Sequence, residues 1–174
     1  MPLHESGEGA GAESTSGVAS RPCGICGLIE RCRTGTFADY VAELPRSYVI
    51  LGDAQFYRGY CVVLAKRHAS EIHLMPPDEA RALFDETVAV GRAIAVATRP
   101  LKLNYECLGN LEPHVHWHVF PRFESDAMRA APVWMRPEAE RKVALEDSTR
   151  RALIQTLAGE LRLQIPSARV AVER

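Results

Sequence analysis

The chain of 174 residues has no apolar run near the roughly 18–20 residues that span a bilayer. It therefore reads as having no membrane partner. The first residues show no Lys/Arg cluster followed by an apolar core, so a secretory leader is not expected. No internal repeat is visible. Neither sign of charge dominates: 21 Lys and Arg face 22 Asp and Glu. A whole-chain nucleic-acid binder is usually strongly basic, so no nucleic-acid partner is expected. The five cysteines are odd in number and unevenly spaced, which argues against a disulfide scaffold. That usage fits a reducing, cytoplasmic setting. The apolar and charged fractions, 47% and 25%, are those of an ordinary globular protein.

Residues 1–20 are rich in Gly, Ser, Ala and Glu and hold no Lys or Arg. Such a stretch cannot offset its ordering entropy, so it is expected to be a disordered tail. Patterning begins near Arg21. Ser47–Leu51 and Tyr60–Leu64 are short β-branched and aromatic runs that predict strands. Pro76, Pro77, Asp78 and Glu79 form a helix start, and an apolar stripe through Leu83, Phe84, Val88 and Ile94 carries that helix towards Pro100. Leu101–Leu108 and Val115–Phe120 predict two more strands. An irregular linker over 123–136 leads to a last helix beginning at Asp147 or Ser148, with Leu153, Ile154, Leu157 and Leu161 on one face. This order implies an α+β fold with a mostly antiparallel sheet, one long helix packed on it and a C-terminal helical extension.

Three of the six histidines fall within five residues, in His114-Val115-His116-Trp117-His118-Val119-Phe120. A strand has a side-chain period of two, so the three imidazoles share one face and Val115, Trp117 and Val119 the other. Such a row could be a solvated polar face, a bare metal site or a catalytic one. Histidine can attack phosphorus and can serve as acid or base near neutral pH.

The segment Leu108–Arg122 resembles the signature of the histidine-triad (HIT) family of nucleotide hydrolases and transferases: His, apolar, His, apolar, His, apolar, apolar, then Pro-Arg. Upstream, Gly59–His68 resembles the family strand that ends in a Lys-Arg-His turn. The resemblance spans roughly 21–125 and implies a HIT domain there, a tail over 1–20 and an extension over 126–174. It points most closely to the bacterial group labelled diadenosine-polyphosphate hydrolase-like.

The resemblance implies a mechanism. His116 would attack the α-phosphate of a small-molecule nucleotide conjugate, and water would hydrolyse the nucleotidyl-histidine. His118 would contact phosphate oxygens and assist the leaving group, and His114 would set the orientation of the site. It also implies a homodimer. Asp53, Asn104 and Asn110 stand where ribose or phosphate contacts are expected, and Arg122 near the polyphosphate. The alternative is a zinc-stabilised nucleotide-binding regulatory module with little turnover. A transferase ranks lower, because His118 stands where such enzymes commonly have Gln.

Cys23-Gly24-Ile25-Cys26 is a C-x-x-C without the βαβ setting of a redox pair. As half of a structural zinc site it needs two more ligands. The resemblance points to His68 and His114, with His73 and Cys32 as rivals. Cys61 and Cys107 are expected to pack as small apolar residues within strands.

Overall fold

The computed structural model describes residues 22–171. The tail expected over 1–20 lies outside them. Six strands form one sheet in the order β4-β5-β3-β2-β1-β6, with every neighbouring pair antiparallel. They are β1 (Tyr40–Glu43), β2 (Ser47–Leu51), β3 (Cys61–Ala65), β4 (Lys102–Glu106), β5 (His116–Arg122) and β6 (Arg169–Val170). The helices are α1 (Gly24–Arg33), α2 (Pro77–Thr98), a single turn α3 (Glu138–Arg141) and α4 (Asp147–Gln164). The α+β fold, with helices packed on an antiparallel sheet, is the one expected. Among the described residues, no helix is long and apolar enough to cross a membrane.

Strands β2 and β3 are buried along their whole length. Such strands must be covered on both faces. On one face Val49, Leu51, Cys61, Val63 and Val119 pack against Leu83, Val90 and Ile94 of α2 and Leu153, Leu157 and Leu161 of α4. On the other, Ile50, Tyr60, Val62, Leu64 and Phe120 form a second core with Ile25 and Cys32 of α1 and with Val133. The alternation of β5 decides which face holds the chemistry. Val115 and Val119 belong to the α2–α4 core, so His114, His116 and His118 emerge on the face of α1 and the C-terminal linker.

Helix α2 starts with Pro77 in its first turn, followed by Asp78 and Glu79. It ends at Arg99, held left-handed at φ 48° just before Pro100. Its buried Glu86 accepts hydrogen bonds from Ser47 Oγ at 2.6 Å and the Arg46 amide at 2.8 Å. The β1–β2 hairpin is thereby tied to the helix.

Two elements carry less propensity than their context. Helix α1 opens at the C-x-x-C, where Cys23 caps it by accepting from the Cys26 amide through Sγ at 3.5 Å. Strand β1 is four residues long and is joined to its antiparallel partner β2 by three residues, Leu44, Pro45 and Arg46. Cys107, expected within a strand, lies just past β4 and is exposed. Cys61 is fully buried in β3.

Candidate active site

A carbonyl oxygen can only accept a hydrogen bond, and this fixes the tautomers of two of the three histidines. His116 Nδ1 lies 2.6 Å from the His114 carbonyl, so Nδ1 carries a proton and, in the neutral ring, the lone pair is on Nε2. His114 Nε2 lies 2.8 Å from the Ala65 carbonyl, so its lone pair is on Nδ1. The third histidine is held by a side chain: the Tyr60 hydroxyl lies 2.6 Å from His118 Nδ1. Burial, with the nearby Asp53 carboxylate, pushes the Tyr60 phenol well above its ordinary range, so it stays protonated and has a proton to give to His118 Nδ1. With the phenol donating, His118 carries its proton on Nε2. The His116 and His118 rings stand 4.8 Å apart, centroid to centroid. Burial, reinforced by His116, lowers His118 to about 4, with Asp53 opposing. It is therefore neutral at physiological pH.

The lone pair of His114 meets three others. Nδ1 of His114 is 3.5 Å from Cys23 Sγ, 3.6 Å from Cys26 Sγ and 3.2 Å from His68 Nδ1. Cys26 Sγ is 3.5 Å from His68 Nδ1. A tetrahedral ion with metal–nitrogen and metal–sulfur bonds of about 2.0–2.1 and 2.3 Å gives ligand–ligand edges of about 3.3 and 3.6 Å. The four donors thus fit a closed metal site, and they could hold an ion. His114 binds the cluster through its side chain and orients His116 through its carbonyl.

Beside His116 and His118 opens a pocket of about 460 Å³. Ile25 and Leu28 of α1 form one wall, and Ile50, Val62 and Leu64 of the sheet form another. Asp39, Asp53 and Glu112 supply carboxylates at its margin. Glu112 also accepts from the Gly24 amide at 3.0 Å, joining the loop before the triad to the start of α1. The C-terminal linker lies outside the pocket, on the other side of His118. Trp134 stands edge-to-face with His118 at 5.3 Å and with Phe120 at 5.5 Å. Lys142 pairs with Asp53 at 3.1 Å.

Residues 35–125 match the family model of the HIT domain. The chain belongs to the HIT domain family. Solved structures with the same fold include a histidine triad protein from Bradyrhizobium japonicum, 26% identical, with a TM-score of 0.63 over 71% of this chain and 91% of that one. A hypothetical histidine triad nucleotide-binding protein from Sulfolobus tokodaii is 20% identical, with a TM-score of 0.62 over 81% and 93% of the two chains. A zinc-bound histidine triad family protein from Mycobacterium smegmatis is 21% identical, with a TM-score of 0.61 over 79% and 94%. No curated protein matches the sequence.

In this HIT protein the three triad histidines, Asp53 and the four cluster residues come together. Cys32 is buried in the α1 core and His73 is exposed, and neither belongs to the cluster. Asn110 is exposed in the loop before the triad and does not line the pocket. Asn104 also lies outside it, because its Oδ1 accepts from Arg122 Nη1 at 3.0 Å. The expectation that Arg122 faces polyphosphate or solvent is corrected. Arg122 is 2% exposed and is consumed by Asp126, Asn104 and the carbonyls of Met128 and Ala131.

Three further residues reach the site without a motif to announce them. They are Tyr60 on His118, Trp134 beside it and Lys142 on Asp53. Tyr60 is readable in retrospect from strand parity, since it shares a face with Val62, the register partner of His118.

Proposed function

We propose that this HIT protein is a nucleotide-conjugate hydrolase of the diadenosine-polyphosphate hydrolase-like branch. It would cleave dinucleoside polyphosphates or nucleoside phosphoramidates at the α-phosphate and release a nucleoside monophosphate. The observation that carries this reading is His116, whose Nδ1–H is held by the His114 carbonyl, leaving Nε2 as its attacking nitrogen beside an apolar pocket sized for a nucleoside.

His116 Nε2 attacks the α-phosphorus. A phosphorus–nitrogen bond forms, and the bond to the departing group breaks with its electron pair leaving on that group. His118 Nε2–H faces the same reaction zone and donates to phosphate oxygens as charge builds on them. Water then attacks phosphorus, the bond to His116 breaks, its electron pair returns to Nε2, and the water's proton passes to solvent. The pocket wall of Ile25, Leu28, Ile50 and Val62 takes the base, and Asp53 accepts from the ribose diol.

The metal we infer for Cys23, Cys26, His68 and His114 is zinc, in a structural role. The soft-thiolate and imidazole donor set supports it, and four protein donors leave no open position for water. Zinc there would supply bracing rather than chemistry: it would fix the His114 ring and, through that residue's backbone, the His116 carbonyl bond. Residues 21–125 serve as the catalytic domain and 126–174 as its extension. A homodimer is supported by the edge strand β4, which exposes Tyr105, with Leu101 exposed just before it. Five free cysteines support a reducing cytoplasm.

The test is chromatographic turnover of diadenosine tetraphosphate and adenosine phosphoramidate by wild type and His116→Ala. Wild type should release AMP, and the variant should lose at least about a hundredfold in rate, about 2.7 kcal/mol of barrier. AMP binding by the wild type without turnover of either compound would move the protein to the regulatory-module reading.

A further inference from the structure

The C-terminal segment makes a bridge across the triad. One end is docked on the β2–β3 loop: the Phe56 amide donates to the Arg141 carbonyl at 3.2 Å, Arg136 lies over the Phe56 ring at 4.0 Å, and Lys142 pairs with Asp53. The other end is docked on β4, where the Trp134 indole N–H donates to Glu106. Glu106 is the register partner of His118 on the β4 side, and Val62 is its partner on the β3 side. The apolar pocket lies on the β3 side, with Val62 in its wall. Trp134 therefore occupies the opposite flank of the reacting histidines.

Two features of this flank point to a ligand. Trp134 is 40% exposed, an indole left open to solvent although it is anchored by a hydrogen bond and by edge contacts to His118 and Phe120. Arg141 lies over the same indole at 4.8 Å from its centroid, with Nε donating to the Arg136 carbonyl at 3.0 Å. A fixed aromatic surface beside a fixed guanidinium suits a group that carries both a flat base and phosphate charge. An ammonia or small amine leaving group would use neither.

We propose that Trp134 and Arg141 form the subsite for the departing half of the substrate, and that this half is a nucleoside polyphosphate. Building on the hydrolase reading, this narrows the substrate class to dinucleoside polyphosphates. The nucleotide that becomes attached to His116 sits on the β3 side. The departing phosphates pass Arg141, and the second base packs against the part of the Trp134 indole that Arg141 leaves exposed. The subsite has no part in bond cleavage; it positions the departing group and raises its affinity.

The experiment compares kcat/KM for diadenosine tetraphosphate and adenosine phosphoramidate, which share the transferred half and differ in the departing one. Wild type, Trp134→Ala, Trp134→Phe and Arg141→Gln are measured, with thermal melts confirming the fold. In Trp134→Ala and Arg141→Gln the ratio of the two kcat/KM values should fall at least tenfold against diadenosine tetraphosphate, with Trp134→Phe recovering part of it. Equal losses on both substrates would overturn the proposal, because Trp134 would then act only by packing on His118. Calorimetric titration of ATP into AMP-saturated His116→Ala protein reads the subsite without turnover. Trp134-dependent ATP binding supports the subsite even where the hydrolase reading fails. Absence of such binding overturns it even where AMP is released.

Discussion

The Tyr60 hydroxyl sits 2.6 Å from His118 Nδ1, and the two rings are nearly parallel, 23° apart. One phenol thus selects the tautomer and the tilt of the third histidine. Tyr60→Phe should keep the ring packing and remove only the hydrogen bond. The expected result is a fall in kcat of about tenfold to a hundredfold, with KM nearly unchanged. Nitrogen chemical shifts of His118 check the cause: the variant should show a mixture of tautomers where the wild type shows one. Gly52 serves the same contact, because a Cβ there would fall inside the Tyr60 ring. Gly52→Ala should therefore reproduce the Tyr60→Phe signature and also lower stability.

The depressed pKa of His118 has a direction that can be checked. Burial favours its neutral form, so its folded value of about 4 lies below the unfolded value of about 6.5. The neutral ring contributes its full share of stability above the unfolded value. That share is lost as pH falls from about 6.5 towards 4. A proton NMR titration should show the His118 ring unchanged between about pH 5.5 and 8, with its midpoint near 4. A midpoint above 6 would contradict the buried, phenol-bonded geometry.

Removing the metal ligands should damage catalysis from a distance. Cys26→Ser removes one donor from the cluster, where Cys26 meets His114, and leaves the His116 and His118 side chains in place. The purified wild type should contain about one zinc per chain, and the variant should lose it with a drop of several degrees in Tm. Strong chelation of the wild type should do the same. His116 hydrogen exchange at Nδ1 should quicken in both cases, since the carbonyl that holds it belongs to His114.

Among the described residues Asp126 is the carboxylate that pairs with Arg122, and it also holds Arg136, at 2.8 Å in each case. Burial opposes its ionisation, but bonds from Arg122, the Met128 amide and Arg136 outweigh that and hold it below its ordinary value. Asp126→Asn leaves a buried guanidinium uncompensated and should cost about 3–5 kcal/mol in urea unfolding. In the wild type this share of stability is present above the ordinary value of 3.8 and is lost as pH falls through the lower folded value. The variant should show a flatter acid limb.

Much of the site could be read along the chain because its key residues obey short periods. The alternation from His114 to Phe120 placed three rings on one face, and the C-x-x-C with two histidines met at hydrogen-bond range. Helix α2 announced itself through Pro77 and its stripe. Helix α1 was hidden behind its own motif. Ile25, Leu28, Ile29 and Cys32 follow helical spacing, yet the segment reads only through the metal chemistry of its two cysteines, and no helix is expected there. Arg122 could not be placed from local sequence, because its burial depends on a carboxylate in the linker and on two linker carbonyls. The bond from Arg122 to Asn104 was likewise not legible. Trp134 and Lys142 touch residues from β5 and the β2–β3 loop, pairings that no periodicity encodes.

The matched family segment runs from 35 to 125, and the working parts do not stop there. Both thiols of the cluster precede it, and the indole and guanidinium beside His118 follow it. A fragment trimmed to the matched segment would keep all three triad histidines but no thiol pair and no flank opposite the pocket. The triad strand is thus a shared chassis, and its two ends are fitted out by sequence that lies outside the matched segment.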